Sequence, residues 1–574
     1  MKLLDLSRED SRIYCLVAGF LLLFIGPLVK YPPAYDYVIV KNLTGFLFCI
    51  LLSASYIMGR KSFGFNRNTF IPFLLFAAWI LFTALKAPFK HGAARQLEEY
   101  ILYFMIFACA MNVRMEKRWI YFWASSGFIA SLIAIFQYFG NLRYPVSMFG
   151  NPNFFAGHLM MPLIISFAAA LSPDFEKNEK KALCAFLVAG FFALLLVKSR
   201  AAIFSTFFGI STVMCLSTDK SNPLRKWGGY AVLFLAVALM LPTIRQWFLT
   251  NVRIFLWKGT VEMIKKNPLA GWGLGNFVFF YPYFRIKEYF LHPESTPTTT
   301  HAHNEYLHIC SETGIVGLLL FIAVAGSAIF FLARKLRRDS SGDILFMGVV
   351  GSLVAVLADN IFSTNMRNPS TSMYFWFLLG ISAGKRINRE TGFDFSRVLW
   401  YTIFIVSLAM AVFTSFYRIL PEVYLKRGIW ARDSGDVKGA IDNYLMVSSI
   451  NPYNYISRYK LAYAYGEAGM LEESRRTYLE IHRKIFPNFA KLNSNLGTVY
   501  LMMGQPEKAL YHYGIEEKLN PYDVDVLCST ASIYFIYRND VKKGLGYIKK
   551  VIDIDPGNKY AENVIKMLKK EGKI

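Results

Sequence analysis

The sequence predicts an all-α fold: a polytopic transmembrane helix bundle of about thirteen spans, followed by a tetratricopeptide-repeat α-solenoid. Three observations predict it. Apolar runs of about 16–22 residues recur along the first 417 of 574 positions, and a helix needs about 20 residues to cross the hydrocarbon core. Beyond position 417 those runs vanish and helical periodicity replaces them. In that tail proline recurs at Pro452, Pro487, Pro521 and Pro556, at spacings of 35, 34 and 35, the period of a helical-repeat array.

Composition supports the first part. Hydrophobic residues make up 55% of the chain, against roughly 45–50% in soluble domains even with glycine counted. That excess excludes a plain soluble enzyme, a disordered chain and a small disulfide scaffold. The net charge of +24 comes from 63 Lys+Arg against 39 Asp+Glu, with most of the excess before residue 418. Nucleic-acid binding is one reading of such a balance. Basic cytoplasmic loops of a membrane protein are the other, and the apolar runs favour it. The 7 cysteines include no CxxC and no regular spacing, so neither a disulfide framework nor a zinc site is expected.

The expected spans are 13–29, 38–58, 69–85, 97–112, 119–139, 155–171, 181–197, 200–216, 230–245, 306–332, 343–364, 372–384 and 398–417. The first follows a short charged head with no small-residue cleavage site, so it reads as an uncleaved span. One set of loops is dense in Lys and Arg: around Arg8, Arg60, Arg114, Lys177, Arg225, Arg334 and Arg386. The alternate set, around Lys30, Lys86, Arg143, Lys198 and Arg367, is poorer. The positive-inside rule makes the first set cytoplasmic. The N-terminus is then cytoplasmic, and thirteen spans put the C-terminal tail outside. One outer connection, 246–305, is far longer than ordinary connections, and such loops are usually functional. It is expected to hold an amphipathic helix, Val252 to Lys266, stopped at Asn267-Pro268 and followed by the turn Gly271-Trp272-Gly273-Leu274-Gly275.

The tail shows a repeat unit most clearly at Leu496-Gly497, Tyr500, Gly504, Ala509, Tyr513 and Pro521. Small and aromatic residues at these places let two helices pack closely. Residues 1–417 are therefore expected as the transmembrane domain and 418–574 as the repeat domain, with four repeats over 421–556 and a basic capping helix after them. Such stacks present a concave surface to a partner, or serve as a brace for the membrane domain.

Four polar clusters interrupt the apolar text on the outer side. Gly150-Asn151-Pro152-Asn153 reads as a helix start with Asn153 as cap. Lys198-Ser199-Arg200 joins two spans with almost no loop. A guanidinium there either snorkels to lipid headgroups or holds a phosphate, to which its planar fork donates two parallel hydrogen bonds. Arg253 sits at the head of the loop helix, ahead of Gly273 and Gly275, whose lack of a side chain permits close approach to a ligand. Thr300-His301-Ala302-His303-Asn304-Glu305-Tyr306 precedes the next span. Two histidines at i, i+2 without HExxH or a third ligand do not make a metal site. Either His301 or His303 suits a general base near neutral pH, with Asn304 or Glu305 to orient it, and a helix-capping role is the alternative. Asp359-Asn360 and Glu98/Glu99 lie near outer span ends and either pair with these arginines or fill polar gaps. There is no GxxxxGK[ST], so no direct use of ATP is expected. The first 417 residues have no Asp-x-Asp, which disfavours a metal-dependent nucleotide-sugar transferase.

Taken together, Arg253 through Trp257, Pro268, Gly271-x-Gly-x-Gly275-Asn276-Phe277, His301-Ala-His-Asn-Glu-Tyr-Leu307 and Glu312-x-Gly-Ile-x-Gly317 resemble the signature of the O-antigen ligase/polymerase superfamily. Gly150-Asn-Pro-Asn153 with Ala156, and Ser199-Arg200-Ala201, resemble motifs of its ligase-like members. The resemblance implies a metal-independent, inverting glycosyltransferase of the bacterial inner membrane that needs no cofactor. Its members take a glycan from an undecaprenyl-diphosphate carrier outside that membrane. Ligases pass it to lipid A-core, polymerases to another carrier-linked glycan, and related oligosaccharyltransferases to Ser or Thr of proteins. Carried over by motif, His303 is the base, with His301 as its alternate, and Arg200 and Arg253 bind the diphosphate. Asn151, Asn153, Asn304, Glu305, Gly273 and Gly275 support them. The repeats depart from typical lipopolysaccharide ligases and imply an envelope protein partner or a protein acceptor. A glycan or lipid transporter would need polar residues along a mid-membrane path, and a non-catalytic scaffold would not need the His/Arg set.

Overall fold

A computed structural model of the full chain describes residues 2–59, 63–113, 115–216, 227–235, 237–238, 251–296, 298–338, 344–384 and 395–573. Half of the expected span 230–245, the start of the long loop, and the basic residues Arg60, Arg114, Arg225 and Arg386 lie outside the described residues. Every described element is helical, apart from one isolated antiparallel bridge between Phe65 and Gly384. A helix stands at each of the other expected spans. Among the described residues, 8 helices are long and apolar enough to cross a membrane, so the count of thirteen is not reached on that criterion. Arg200–Leu216 and Leu345–Asp359 are apolar but shorter.

The chain divides into two compact units, and the division does not follow chain order. One comprises Met1–Asn251, Ile264–Gly275 and His301–Leu420; the other comprises Val252–Met263, Asn276–Thr300 and Pro421–Ile574. The long loop is thus shared out, and two of its segments group with the repeats.

In the first unit the helices Pro152–Leu171 and Pro369–Ala383 occupy the centre. Both are apolar on all sides, as a helix ringed by others must be. Trp376 anchors the packing: its ring meets Phe73, Phe76, Phe104 and Phe107 at centroid distances of 6.4, 6.2, 5.3 and 6.1 Å. Proline opens each of the two helices at its first position, where no backbone donor is wasted. The side chains of Asn151 and Asn368 cap them, accepting from Asn153 N–H and Ser370 N–H at 2.8 and 3.0 Å. The cap of the first is therefore Asn151, two residues earlier than the expected Asn153.

In the second unit, helices pair in succession. The pairs are Leu420–Asp433 with Val437–Ile450, Tyr455–Glu467 with Leu471–Ile485, Leu492–Met502 with Pro506–Leu519, and Val524–Ile536 with Val541–Ile554. The helix Lys559–Lys570 follows. Asp436, Asn454, Asp523, Asp540 and Asn558 cap helix starts through their side chains, each satisfying a backbone donor the helix itself cannot. Asp523 of the Asp-x-Asp at 523–525 is thereby a structural residue. The two helices of a pair approach where a ring lies over a glycine, Tyr444 on Gly428 and Tyr513 on Gly497.

The loop segments in this unit are held by the connections that follow the second and third pairs. Asn488 uses both ends of its amide: Oδ1 accepts from the Tyr283 hydroxyl at 2.7 Å, and Nδ2 donates to the Phe279 carbonyl at 3.0 Å. Phe279 packs on Phe486 with centroids 4.5 Å apart, and Phe290 on Tyr522 at 5.8 Å. The helix that carries Arg253 lies against the same segment, where Gly259 faces the Phe284 carbonyl and the Tyr281 ring.

Candidate active site

The histidine cluster is built on the start of the helix Glu305–Arg338. Asn304 caps it, its side-chain oxygen accepting from Leu307 N–H at 3.0 Å. One turn into the helix His308 turns back, and its Nδ1 accepts the Ala302 N–H at 3.2 Å. Ala302 lies between the two candidate bases, which the backbone then separates. His303 adopts φ 51°, a left-handed conformation, and is exposed. His301 is half-buried, with its ring 5.5 Å from that of His308. Burial first, and then the facing His308, Arg367, His303 and Arg95, push its pKa well below the usual histidine value. His301 is therefore neutral at neutral pH and a weak base.

Arg367, from the short turn before Pro369, holds Glu305 by one hydrogen bond, Nε to Oε2 at 3.1 Å, and by an ion pair in which Nη2 lies 2.8 Å from Oε1. Its Nη1 also lies 3.8 Å from Glu312 Oε2. All three side chains are buried. Burial alone would lower the arginine pKa; the carboxylates, Glu305 foremost, outweigh it and hold the guanidinium charged. Glu312 Oε1 also faces His308 Nε2 at 3.3 Å. Beneath this pair Asp359 accepts from Ser363 and Asn365 at 2.6 and 2.7 Å, and the Asn360 carbonyl accepts the Glu305 N–H at 2.9 Å. Of the residues expected to pair with the site arginines, Asp359 is thus engaged within its own turn. Glu98 binds Arg418 at 2.6 Å.

The glycine-rich turn fits against a break in the same helix. At Gly314 the backbone takes φ 72° and ψ 179°, which frees carbonyls of the preceding turn. Trp272 N–H and Gly273 N–H donate to the Ser311 and Glu312 carbonyls, each at 2.9 Å. The glycines permit close approach, but to backbone of the same unit. A Cβ at Gly271 would meet Glu312, at Gly273 Ala87, and at Gly275 the Gly92 carbonyl, at 2.4, 2.6 and 2.3 Å. Gly271 therefore seats the turn on the helix Glu305–Arg338, and Gly273 and Gly275 seat it against Ala87 and Gly92.

Two further motifs meet. The Ser199 hydroxyl donates to Asn153 Oδ1 at 3.0 Å, joining the tight hairpin before Arg200 to the head of the helix Pro152–Leu171. Arg200 is exposed at the first position of its helix. A few residues along the central helix, Gly157 leaves room for the Asn365 amide, and Asn365 neighbours Arg367. The Arg200 hairpin and the histidine loop are thus linked through Asn153, Gly157, Asn365, Arg367 and Glu305. Arg253 lies in the first turn of the helix Val252–Lys266, in the second unit.

Arg367 was legible only as a loop charge. Its partners Glu305 and Glu312 lie some sixty residues away, and a pairing over that distance leaves no local pattern. His308 had a weak signal, since Glu305, His308 and Glu312 fall at i, i+3 and i+7, on one helix face.

Residues 185–322 match a family model described as O-antigen ligase. No curated protein matches the chain. Among solved structures, the crystal structure of MamA is 18% identical, with a TM-score of 0.23, over 29% of this chain and 97% of that one. The crystal structure of the APC/C hetero-tetramer Cut9-Hcn1 is 11% identical, with a TM-score of 0.25, over 83% and 95%. At these scores the two likenesses carry no argument. The matched segment contains the Arg200 hairpin, the loop helix, the glycine-rich turn and the histidine loop. Residues 185–322 are thus similar to an O-antigen ligase domain, in a chain whose described residues include 8 helices long and apolar enough to cross a membrane and a series of helix pairs after Leu420.

Proposed function

We propose that the protein is an outer-face glycosyltransferase of the bacterial inner membrane, transferring a glycan from an undecaprenyl-diphosphate carrier to an acceptor hydroxyl. The observation that carries this reading is the O-antigen ligase match over residues 185–322, which includes Arg200, Arg253 and His303. His303 takes the proton of the acceptor hydroxyl, which attacks the anomeric carbon and inverts it. The bond to the carrier diphosphate breaks, and Arg200 and Arg253 take up the charge of that leaving group. Exposure of His303 supports its role over the half-buried His301, whose pKa is driven down. The chemistry requires no metal, since the guanidiniums supply the positive charge. The N-terminus is cytoplasmic and the repeats lie on the outer side.

Membranes containing the full-length protein test this with a carrier-linked glycan and lipid A-core, a second carrier-linked glycan or a Ser/Thr peptide as acceptors. The acceptor consumed separates ligase, polymerase and protein oligosaccharyltransferase. His303→Ala is expected to lower kcat by about 10²–10⁴-fold, the range of general-base catalysis. Arg253→Ala is expected to abolish transfer while the protein stays inserted. Wild-type rates in either variant overturn the assignment.

A further inference from the structure

A non-glycine residue in the left-handed region costs about 1–2 kcal/mol, so something must hold His303 at φ 51°. The preceding peptide shows what does. The Ala302 N–H is fixed by His308 Nδ1 at 3.2 Å. For that nitrogen to accept, the ring proton must sit on Nε2, and Nε2 faces Glu312 Oε1 at 3.3 Å. A carboxylate there accepts a proton and offers none, so it selects that tautomer. Glu312 is in turn faced by Arg367, whose guanidinium is anchored by Glu305 on the first turn of the same helix. The four side chains are almost wholly removed from solvent, at 5% exposure or less. A buried ionic group left unpaired is strongly destabilising, so this set persists only as a unit. It meets the histidine loop at the Ala302 amide and at the His301 ring.

We infer that His308 is a positioning residue for the transfer reaction, with Arg367 and Glu312 fixing its tautomer so that it holds the Ala302 peptide and sets the direction of His303. The inference rests on the proposal that His303 is the base. It assigns His308 no proton transfer of its own, since Nδ1 is committed to the Ala302 amide and Nε2 to Glu312.

Two substitutions in the full-length protein separate the ring nitrogens. In His308→Asn the side-chain oxygen lies near the place of Nδ1 and still accepts the Ala302 N–H. In His308→Gln the amide reaches the place of Nε2, keeps Glu312 and loses Ala302. The expected result is a fall in kcat of about tenfold or more for His308→Gln, with the KM for the carrier-linked donor within about twofold. His308→Asn is expected to stay within about threefold of wild type, and the acid limb of the kcat/KM profile to stay in place in both. Hydrogen exchange over residues 299–304 gives a readout independent of activity, with faster exchange expected in His308→Gln alone. Equal losses in the two variants, unchanged exchange in His308→Gln, or disappearance of the acid limb overturn the inference. A wild-type rate in His303→Ala overturns the underlying base assignment instead. Loss of activity in His303→Ala beside a wild-type His308→Gln overturns the positioning role alone.

Discussion

The Ser199 hydroxyl and the Asn153 side-chain oxygen lie 3.0 Å apart, and this bond locates the first residue of the helix that begins at Arg200. Such a bond contributes about 1 kcal/mol net. Ser199→Ala is expected to leave the bundle folded and to raise the KM for the carrier-linked donor about fivefold, the equivalent of that energy. Initial rates against donor concentration check this. An unchanged KM would separate Arg200 from donor binding.

The ion pair between Arg367 and Glu305 is buried on both sides. Arg367→Met removes the cation and leaves two carboxylates in a low-dielectric site, at a cost of about 3–5 kcal/mol. Thermal unfolding in detergent is expected to show a large fall in Tm. Adding Glu305→Gln to the same chain is expected to restore part of it, because one of the stranded charges is gone.

Gly314 combines a left-handed φ of 72° with the Leu269 carbonyl 2.0 Å from where a Cβ would sit. Gly314→Ala is expected to destabilise by about 1–3 kcal/mol through strain alone, and by more from the collision. Gly326, further along the same helix, has nothing within 4 Å. Gly326→Ala is expected to be neutral, or stabilising by up to about 1 kcal/mol. Parallel melts of the two variants make the comparison.

Two buried groups in the repeats titrate in opposite senses. Burial first, and then His482 and Arg483, lower the His512 pKa to about 4, so the unfolded chain binds a proton that the folded one refuses between about 6.5 and 4. Its contribution to stability is lost as pH falls through that window. Burial raises the Glu516 pKa to about 7, against the pull of hydrogen bonds from the Lys491, Ser494 and Asn493 backbone. Its folded form keeps a proton the unfolded chain releases near 4.5, so its contribution is lost as pH rises toward 7. Glu516→Gln is expected to make the Tm of the repeats fall more steeply on acidification from pH 7 to 4.5. His512→Gln is expected to reverse the slope relative to Glu516→Gln.

The fold was legible where the signal is periodic. Helices stand at the apolar runs because hydrophobic length decides them locally, and the proline period marks the turns between repeat helices. The loop helix falls at Val252–Lys266, where its amphipathic pattern and Asn267-Pro268 placed it. The site was legible in part. Asn304 is a cap, as its place before the helix suggested, and Glu305 binds Arg367, a partner that no local pattern announced. Glycines at 273 and 275 announced a close approach without saying to what; the backbone of Ala87 and Gly92 answers. The two hydrogen bonds of Asn488, from Tyr283 and to Phe279, had no local signature at all.

That Asn488 clamp fixes a parity. Segment 276–300 and the repeats are packed on each other through Asn488, Phe486 and Tyr522, so no bilayer lies between them. The chain leaves this segment at His301 and reaches the repeats at Pro421, and between these points it crosses an even number of times. The four helices Glu305–Arg338, Ile344–Asp359, Pro369–Ala383 and Phe395–Phe413 satisfy that count if each crosses. They satisfy it equally if the two short inner ones, each only about 24 Å long at 1.5 Å per residue, dip in and return as a pair. Single-cysteine chains with Glu294→Cys and Lys508→Cys, both exposed positions, are expected to react with an impermeant thiol reagent from one and the same face. Whichever face that proves to be, the repeats and the loop that carries Arg253 answer to the same compartment.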